Sequence, residues 1–459
     1  MIEIAYRELY APAHFGNSYE VMYPGEMREL LAEAKFWGFN AYGDWFDAAD
    51  LRNPANNPRN EYLQPQAFRD RKVSHFRTAG ELGFDLGLVL TPNHVYLDQL
   101  REDLRAETTD ERYFGQLLCP SKPEARGIIL ENHRYLFETL RDAGVAIGSL
   151  AACPYDYGGC GCEACRPWIV TFGKLCLEIA ELAEEYFPGV AARLVGWWWT
   201  DEDHAAFTAW ADGEAPGRFA SIARYIKYGQ CAPNTSQPIP RGCASFAFVH
   251  IGYADAATPR DVYGPWGPTI APNRLAKTAS SLCEGGVQGY MAYSEGAFDD
   301  VNKALLAGLT SGRFGQPREV LEAYAERYLG AHGTGRTAWA EWMMQWGEPF
   351  QTNTAEARRQ FDRLVKGARR TWRLEQLESK LRLFEAHNEV KHRSAWDAER
   401  LAAASRFFAE QERLQRGIWG LGLVRHVLNE RFHRPDWYAE WAALQSKGQA
   451  DTATAVSEA

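Results

Sequence analysis

The sequence predicts a TIM-type (β/α)8 barrel followed by an all-α C-terminal domain, an α/β fold class that rests on three observations. From the N-terminus to about residue 315, short apolar or aromatic runs alternate with helical stretches, the signature of βα units around a parallel sheet. Several helical stretches stop at a glycine just before the next apolar run, as in KFWGFN, AGELGFD and RDAGVA. Beyond about residue 315 the strand pattern ceases and helical periodicity alone remains.

The candidate strands are, in order, Ile2 to Leu9, Phe39 to Tyr42, Leu86 to Leu90, Ala146 to Ala151, Leu194 to Trp199, Ser245 to Ile251, a weak one near Thr269, and Gly289 to Tyr293. Eight units over this length match the usual barrel, with room for long loops. Between them, Met27 to Trp37, Val73 to Leu82, Asn132 to Ala143 and Val170 to Tyr186 place apolar residues three and four apart, the spacing of an amphipathic helix. From Arg318 to Gln445 the pattern stays helical. Leu374, Leu377, Leu381 and Phe384, for example, share one face between Arg and Glu residues that favour solvent. The expected organisation is therefore a barrel over 1–315, a helical domain over 316–445 and a frayed polar tail over 446–459.

Composition narrows the partners. The 459 residues are 46% hydrophobic and 24% charged, the balance of a folded globular chain. With 50 Lys and Arg against 60 Asp and Glu, the formal charge of −10 repels a nucleic-acid backbone. No apolar run approaches membrane-spanning length, and the N-terminus lacks a basic segment followed by an apolar one, so a soluble, cytoplasmic protein with no membrane partner is expected. No glycine-rich dinucleotide or P-loop signature stands at a strand-to-helix junction, and neither H-E-x-x-H nor G-x-S-x-G occurs. No cofactor for catalysis is expected. Self-association into a homo-oligomer stays open.

The aromatic content points to a ligand class. The chain has 16 Trp, 21 Tyr and 23 Phe, and many close a short apolar run ending in Asp, Glu, Asn or His. Sugar rings present C–H faces that stack on aromatic rings, and their hydroxyls need polar partners. Because barrel active sites form at the C-terminal ends of strands, the residues just after each candidate strand are the candidate site. They are Glu8 and Tyr10, Asp44 and Trp45, Asn93 and His94, Tyr155 and Asp156, Asp201 to His204, His250 and Tyr253, Asn273, and Glu295. Trp45, Trp197, Trp199 and Trp266 are the stacking candidates, with Asp44, Asn93, His94, Asp156 and His250 on sugar hydroxyls. Each of these residues also has a bland alternative as a core ring, a helix cap or a solvated acid.

Glycoside hydrolysis ordinarily needs two carboxyl groups, one to protonate the leaving oxygen and one to act as base or nucleophile. Glu202 in WWWTDEDH is the expected acid and base, Glu295 in YMAYSEG the second carboxylate, and Asp201 an auxiliary. The segments GFNAYGDWFD, ACPYDYGGCGCEACRPW, WWWTDEDH and YMAYSEG, ahead of a helical C-terminal domain, resemble barrel glycoside hydrolases of the β-hexosaminidase and α-glucuronidase groups and their bacterial relatives. In the hexosaminidase group an adjacent Asp-Glu pair works with assistance from the substrate. That resemblance implies Glu202 as the acid and Asp201 as the residue orienting a 2-acetamido group. Here the pair follows the fifth candidate strand rather than the fourth, and Glu295 supplies a second carboxylate, so an ordinary two-carboxylate glycosidase acting on a small glycoside or an oligosaccharide end ranks first. A non-catalytic carbohydrate-binding barrel is the reading from another class.

Nine cysteines occur, and Cys153, Cys160, Cys162 and Cys165 cluster in CPYDYGGCGCEAC. Thiolates this close can surround a tetrahedral structural Zn²⁺. A disulfide within the loop and unliganded buried thiols are the alternatives.

Overall fold

A computed structural model describes residues 3–13, 17–46, 65–95, 99–107, 117–154, 159–227, 230–251, 270–294, 296–347, 353–418 and 437–446. Eight parallel strands close into a barrel in sequence order. They are β1 (Tyr6–Tyr10), β2 (Ala41–Trp45), β3 (Asp85–Leu90), β4 (Ser149–Ala152), β5 (Ala191–Gly196), β6 (Ser221–Tyr225), β7 (Ala244–His250) and β8 (Gly289–Tyr293). β8 pairs back onto β1 in the register Glu8 with Met291 and Tyr10 with Tyr293, which leaves no open edge.

Helices Pro24–Trp37, Pro65–Glu81, Pro123–Asp142, Trp168–Glu184, Asp201–Glu214, Pro272–Glu284 and Asp300–Thr310 lie between and after the strands. The glycine at the helix end in KFWGFN is Gly38, at φ 121°, a conformation in which a Cβ would be strained and would also meet Ser311. Burial on the helix side is aromatic. Trp199, Phe207, Trp210 and Phe219 join Ile169, Phe172, Leu194 and Ile222 in one cluster between β4 to β6 and the helices Trp168–Glu184 and Asp201–Glu214.

One expected strand takes a later place in the order, and one strand forms that was not expected. Ser245 to Ile251 corresponds to the seventh strand, not the sixth, and the sixth is the unexpected SIARY segment. The region near Thr269 lies outside the described residues. β6 escapes the eye because it is short and carries Arg224, whose guanidinium turns outward to Ser245 Oγ at 2.7 Å and to the Gln237 carbonyl. A buried strand that carries a cation breaks the apolar run that marks such strands. Asn273, expected beyond the seventh strand, instead opens the helix Pro272–Glu284.

The chain divides into two compact units, one of residues 1–251, 275–295 and 306–315, the other of 252–274, 296–305 and 316–459. The second is helical beyond residue 316, with helices Pro317–Leu329, Thr334–Met344, Thr354–Leu364, Trp372–His392 and Ala398–Ile418 and a helical stretch at 438–446. Its core is a run of rings, Trp339 on Trp342 at 5.7 Å, Trp342 on Trp346 at 5.5 Å and Trp346 on Phe384 at 5.6 Å. Leu374, Leu377, Leu381 and Phe384 are all buried, as their spacing predicts. The expected tail lies, from residue 447, outside the described residues. Among the described residues no helix is long and apolar enough to cross a membrane.

Candidate active site at the barrel mouth

Alternation along the strands decides which side chains enter the barrel. Tyr6 on β1 and Arg193 on β5 stand on opposite walls, yet the guanidinium lies 3.9 Å from the Tyr6 ring centre, so both point inward. Counting by twos from them, Glu8 and Tyr10, Val195 and Trp197, Tyr225, Phe248 and His250, and Tyr293 share the interior face.

Glu8 is a buried carboxyl on this interior face. It is 1% exposed, and its Oε2 accepts a hydrogen bond from the Tyr6 hydroxyl at 2.9 Å. Its Oε1 is buried without a hydrogen-bond partner. The room it occupies depends on glycine: a Cβ at Gly43 would overlap Oε1, and one at Gly87 would sit 3.1 Å from Oε2. Burial pushes its carboxyl up to about 7, against the opposing pull of the Arg193 charge and the Tyr6 hydrogen bond.

Above this layer the interior becomes aromatic. Tyr10 and Tyr293 lie 5.4 Å apart between ring centres, Tyr293 and His250 5.7 Å, His250 and Trp197 5.4 Å, and Trp197 and Tyr225 4.6 Å. These rings come from β1, β8, β7, β6 and the end of β5, so they form an arc over more than half the barrel's circumference. Tyr225 was not anticipated because its strand was not.

The three consecutive tryptophans after β5 go three ways. Trp197 joins the arc. Trp198 is 43% exposed and has φ 61°, and among the described residues it alone of the non-glycine positions has a positive φ. That conformation is costly for a bulky side chain and persists only where the surroundings impose it. It turns the chain so that Trp199 packs 5.0 Å from His204 and 5.2 Å from Phe207 in the helix-side cluster, 4% exposed. Of the two stacking candidates in this triplet, Trp197 lines the mouth and Trp199 is a core residue. The exposed ring is Trp198, which lies 5.6 Å from Tyr225.

Asp201 and Glu202 follow on the exposed first turn of Asp201–Glu214. Thr200 caps this helix. Its hydroxyl accepts the Asp203 N–H at 3.1 Å while the Asp203 carboxylate accepts the Thr200 N–H at 2.9 Å. Asp203 is thereby a capping residue. Asp201 Oδ1 accepts from the Gln237 amide at 2.9 Å. Both exposed acids sit where the helix's unpaired N–H groups favour negative charge. His204 points into the protein, and burial, with Arg224 nearby, lowers its imidazole to about 4, so it is neutral at pH 7.

Other expected site residues have internal commitments. Asp44 is fully buried; it accepts the Ala13 N–H at 2.9 Å and lies 3.9 Å from Lys72 Nζ. Trp45 is buried, and its carbonyl accepts from Lys72. Asn93 is buried and donates to the Leu118 carbonyl at 3.1 Å, and the buried His94 forms a bridge with Leu117, so the two tie the segment before Cys119 to the end of β3. His250 ends β7 inside the ring arc. Asp156, Trp266, Glu295, Tyr155 and Tyr253 lie outside the described residues. Ser294, one residue before Glu295, is fully buried, hydrogen-bonded to the Tyr19 hydroxyl and bonded through its N–H to the Tyr10 carbonyl at 3.0 Å.

The cysteines assemble differently from expectation. Cys160, Cys162 and Cys165 gather with Cys119, not with Cys153. Cys153 continues the β4 ladder, its N–H bonded to the Leu90 carbonyl at 2.8 Å, and the barrel wall holds it there. Cys119 lies far from the others in sequence, but parallel neighbours β3 and β4 release their chains at the same end of the barrel. Only that adjacency brings it into the cluster.

No family model matches this sequence, and no curated protein matches it. Among solved structures, the chain is similar to a GH138 enzyme targeting pectin rhamnogalacturonan II, with 11% identity and a TM-score of 0.54 over 91% of this chain and 59% of that one. It is also similar to a Thermobaculum terrenum O-GlcNAc hydrolase, with 10% identity and a TM-score of 0.48 over 90% and 83% of the two chains. At 11% identity the likeness to the first is one of fold alone.

Proposed function

We propose that this chain is a glycoside hydrolase, with its active site at the C-terminal mouth of the barrel. The observation that carries the reading is Trp198, an exposed indole held in a strained backbone conformation at the end of β5, three and four residues before Asp201 and Glu202. A stacking surface beside exposed carboxylates, at the end of the fold where barrels place their chemistry, is what a sugar substrate requires. The aromatic arc behind it supplies an apolar floor.

In this reading Glu202 delivers a proton to the leaving oxygen and Glu295 acts as nucleophile or base. Consecutive residues on a helix fan apart rather than face one target. Asp201 and Glu202 share one helical turn, which favours a partner carboxylate from another strand over an Asp-Glu pair acting together. The substrate is a small glycoside or an oligosaccharide end, and no cofactor enters the reaction.

A panel of nitrophenyl glycosides tests the reading. Hydrolysis of at least one member, abolished in Glu202→Gln, supports it. Turnover confined to 2-acetamido sugars and insensitive to Glu295→Gln would instead assign the substrate-assisted route through Asp201. Saturable sugar binding without turnover on any member would make the chain a binding protein.

A further inference from the structure

We propose that Cys119, Cys160, Cys162 and Cys165 bind one structural Zn²⁺, which ties the segment after β3 to the segment after β4. Their four Sγ atoms lie within 4.8 Å of one another, with Cys119 Sγ 3.6 Å from Cys165 Sγ and 3.7 Å from Cys162 Sγ. Four thiolates at the corners of a tetrahedron, each about 2.3 Å from zinc, stand about 3.8 Å apart. The spacing is thus that of ligands sharing one ion. A disulfide needs its sulfurs about 2.05 Å apart, and all four thiols are free.

The surroundings suit a metal thiolate. The backbone N–H groups of Glu107 and Cys162 are directed at Cys160 Sγ. Such donors offset the negative charge left when four thiols each lose a proton to solvent on binding one divalent ion. Cys119, Cys160 and Cys165 are buried, and Cys162 is partly exposed, which leaves a route for the ion. A soft, all-sulfur tetrahedral set selects zinc over oxygen-preferring divalent cations.

The tie has a mechanical meaning. Besides the thiols, the Gly161 N–H to Glu107 carbonyl bond, 2.6 Å long, and the hydroxyl of Ser121, which donates to the Ala164 carbonyl at 3.1 Å, join these two segments. Among the described residues, apolar burial there is a small cluster of Ala106, Leu117 and the cysteines themselves. A metal there does what a larger apolar core would do.

Metal analysis of the full chain, purified under reducing conditions without added metal, should find one zinc per chain. Cys119→Ser should lose it, and Cys153→Ser, which alters the cysteine that sequence spacing favours, should retain it. Zinc that stays absent after the reduced protein is titrated with zinc sulfate and desalted overturns the proposal, as does equal zinc in the two variants. If Cys119→Ser fails to fold, cobalt substitution of the unmodified chain decides: tetrahedral thiolate coordination gives intense visible bands with sulfur-to-cobalt charge transfer, and their absence rejects the site. Each of these measurements is independent of glycoside turnover.

Discussion

In the barrel interior Glu8 has one carboxyl oxygen on the Tyr6 hydroxyl, the other without a partner, and a guanidinium across the barrel from it. On the first turn of Asp201–Glu214, Glu202 faces solvent at a helix N-terminus. The two glutamates belong to the same barrel, and their chemistry differs because water reaches one and not the other. Burial makes Glu8 hold its proton near neutrality, with consequences for stability. Exposure leaves Glu202 open to solvent, and in the proposed reaction its reactivity depends on what a bound sugar would exclude from around it.

The largest expected effect separates these roles. General acid and base catalysis is worth roughly 10² to 10⁴ in rate. Glu202→Gln should lower turnover of an ordinary glycoside by that factor with little change in melting temperature. A substrate whose leaving group departs without protonation should lose much less. If Glu8→Gln abolishes turnover in a folded protein while Glu202→Gln does not, the catalytic acid lies in the interior and the comparison fails.

Next in size is the pH dependence of stability. The Glu8 carboxyl titrates at about 7 in the folded chain and near its ordinary value of about 4.3 once unfolded. Between those values the folded state keeps a proton that the unfolded chain has released. The stabilisation from this group is therefore complete below about pH 4, and it is lost as pH rises through 7. The full change is about 4 kcal/mol. Chemical denaturation from pH 5 to pH 8 should show stability falling in the parent chain and a visibly flatter profile in Glu8→Gln. Parallel profiles would mean that Glu8 is not the group that titrates.

Trp198 sharpens the comparison at the mouth. Removing a stacking ring costs about 0.5 to 1.5 kcal/mol of binding, so Trp198→Ala should raise KM several-fold with kcat nearly unchanged. Glycine tolerates a positive φ and alanine does not. Trp198→Gly should therefore be more stable than Trp198→Ala by about 1 kcal/mol in urea titrations. Equal stabilities would remove backbone strain from the account of this residue. The smallest effect is at Thr200: losing the cap in Thr200→Ala should cost about 1 kcal/mol, and Thr200→Ser should restore it. A loss of turnover in Thr200→Ala that serine rescues would show that the cap also positions Glu202.

Much of the barrel could be read from the chain. Leu86 to Leu90 and Gly289 to Tyr293 are recognisable as strands because a parallel strand buried on both faces must be apolar throughout. Leu374, Leu377, Leu381 and Phe384 mark a buried helix face because 3.6 residues per turn aligns them. These signals are local. β6 was illegible because its outward Arg224 finds its partners, Ser245 and Gln237, in a neighbouring strand and a loop.

The candidate site divides in the same way. That Asp201 and Glu202 follow a strand and open a helix is written in WWWTDEDH, through the Thr200 cap and the acids behind it. Which of the three tryptophans faces solvent is not, because one left-handed residue reverses the alternation that an extended segment would keep. Nor could spacing show that Cys119 displaces Cys153, or that Asp44 is spent on Ala13 and Lys72. By itself the sequence determined the alternation of strands and helices and most of its members, β6 excepted, because that pattern depends on residues a few positions apart. The closed tertiary structure decided which groups meet and which lose water, because parallel strands joined through helices bring distant segments to a common end and bury whatever points between them.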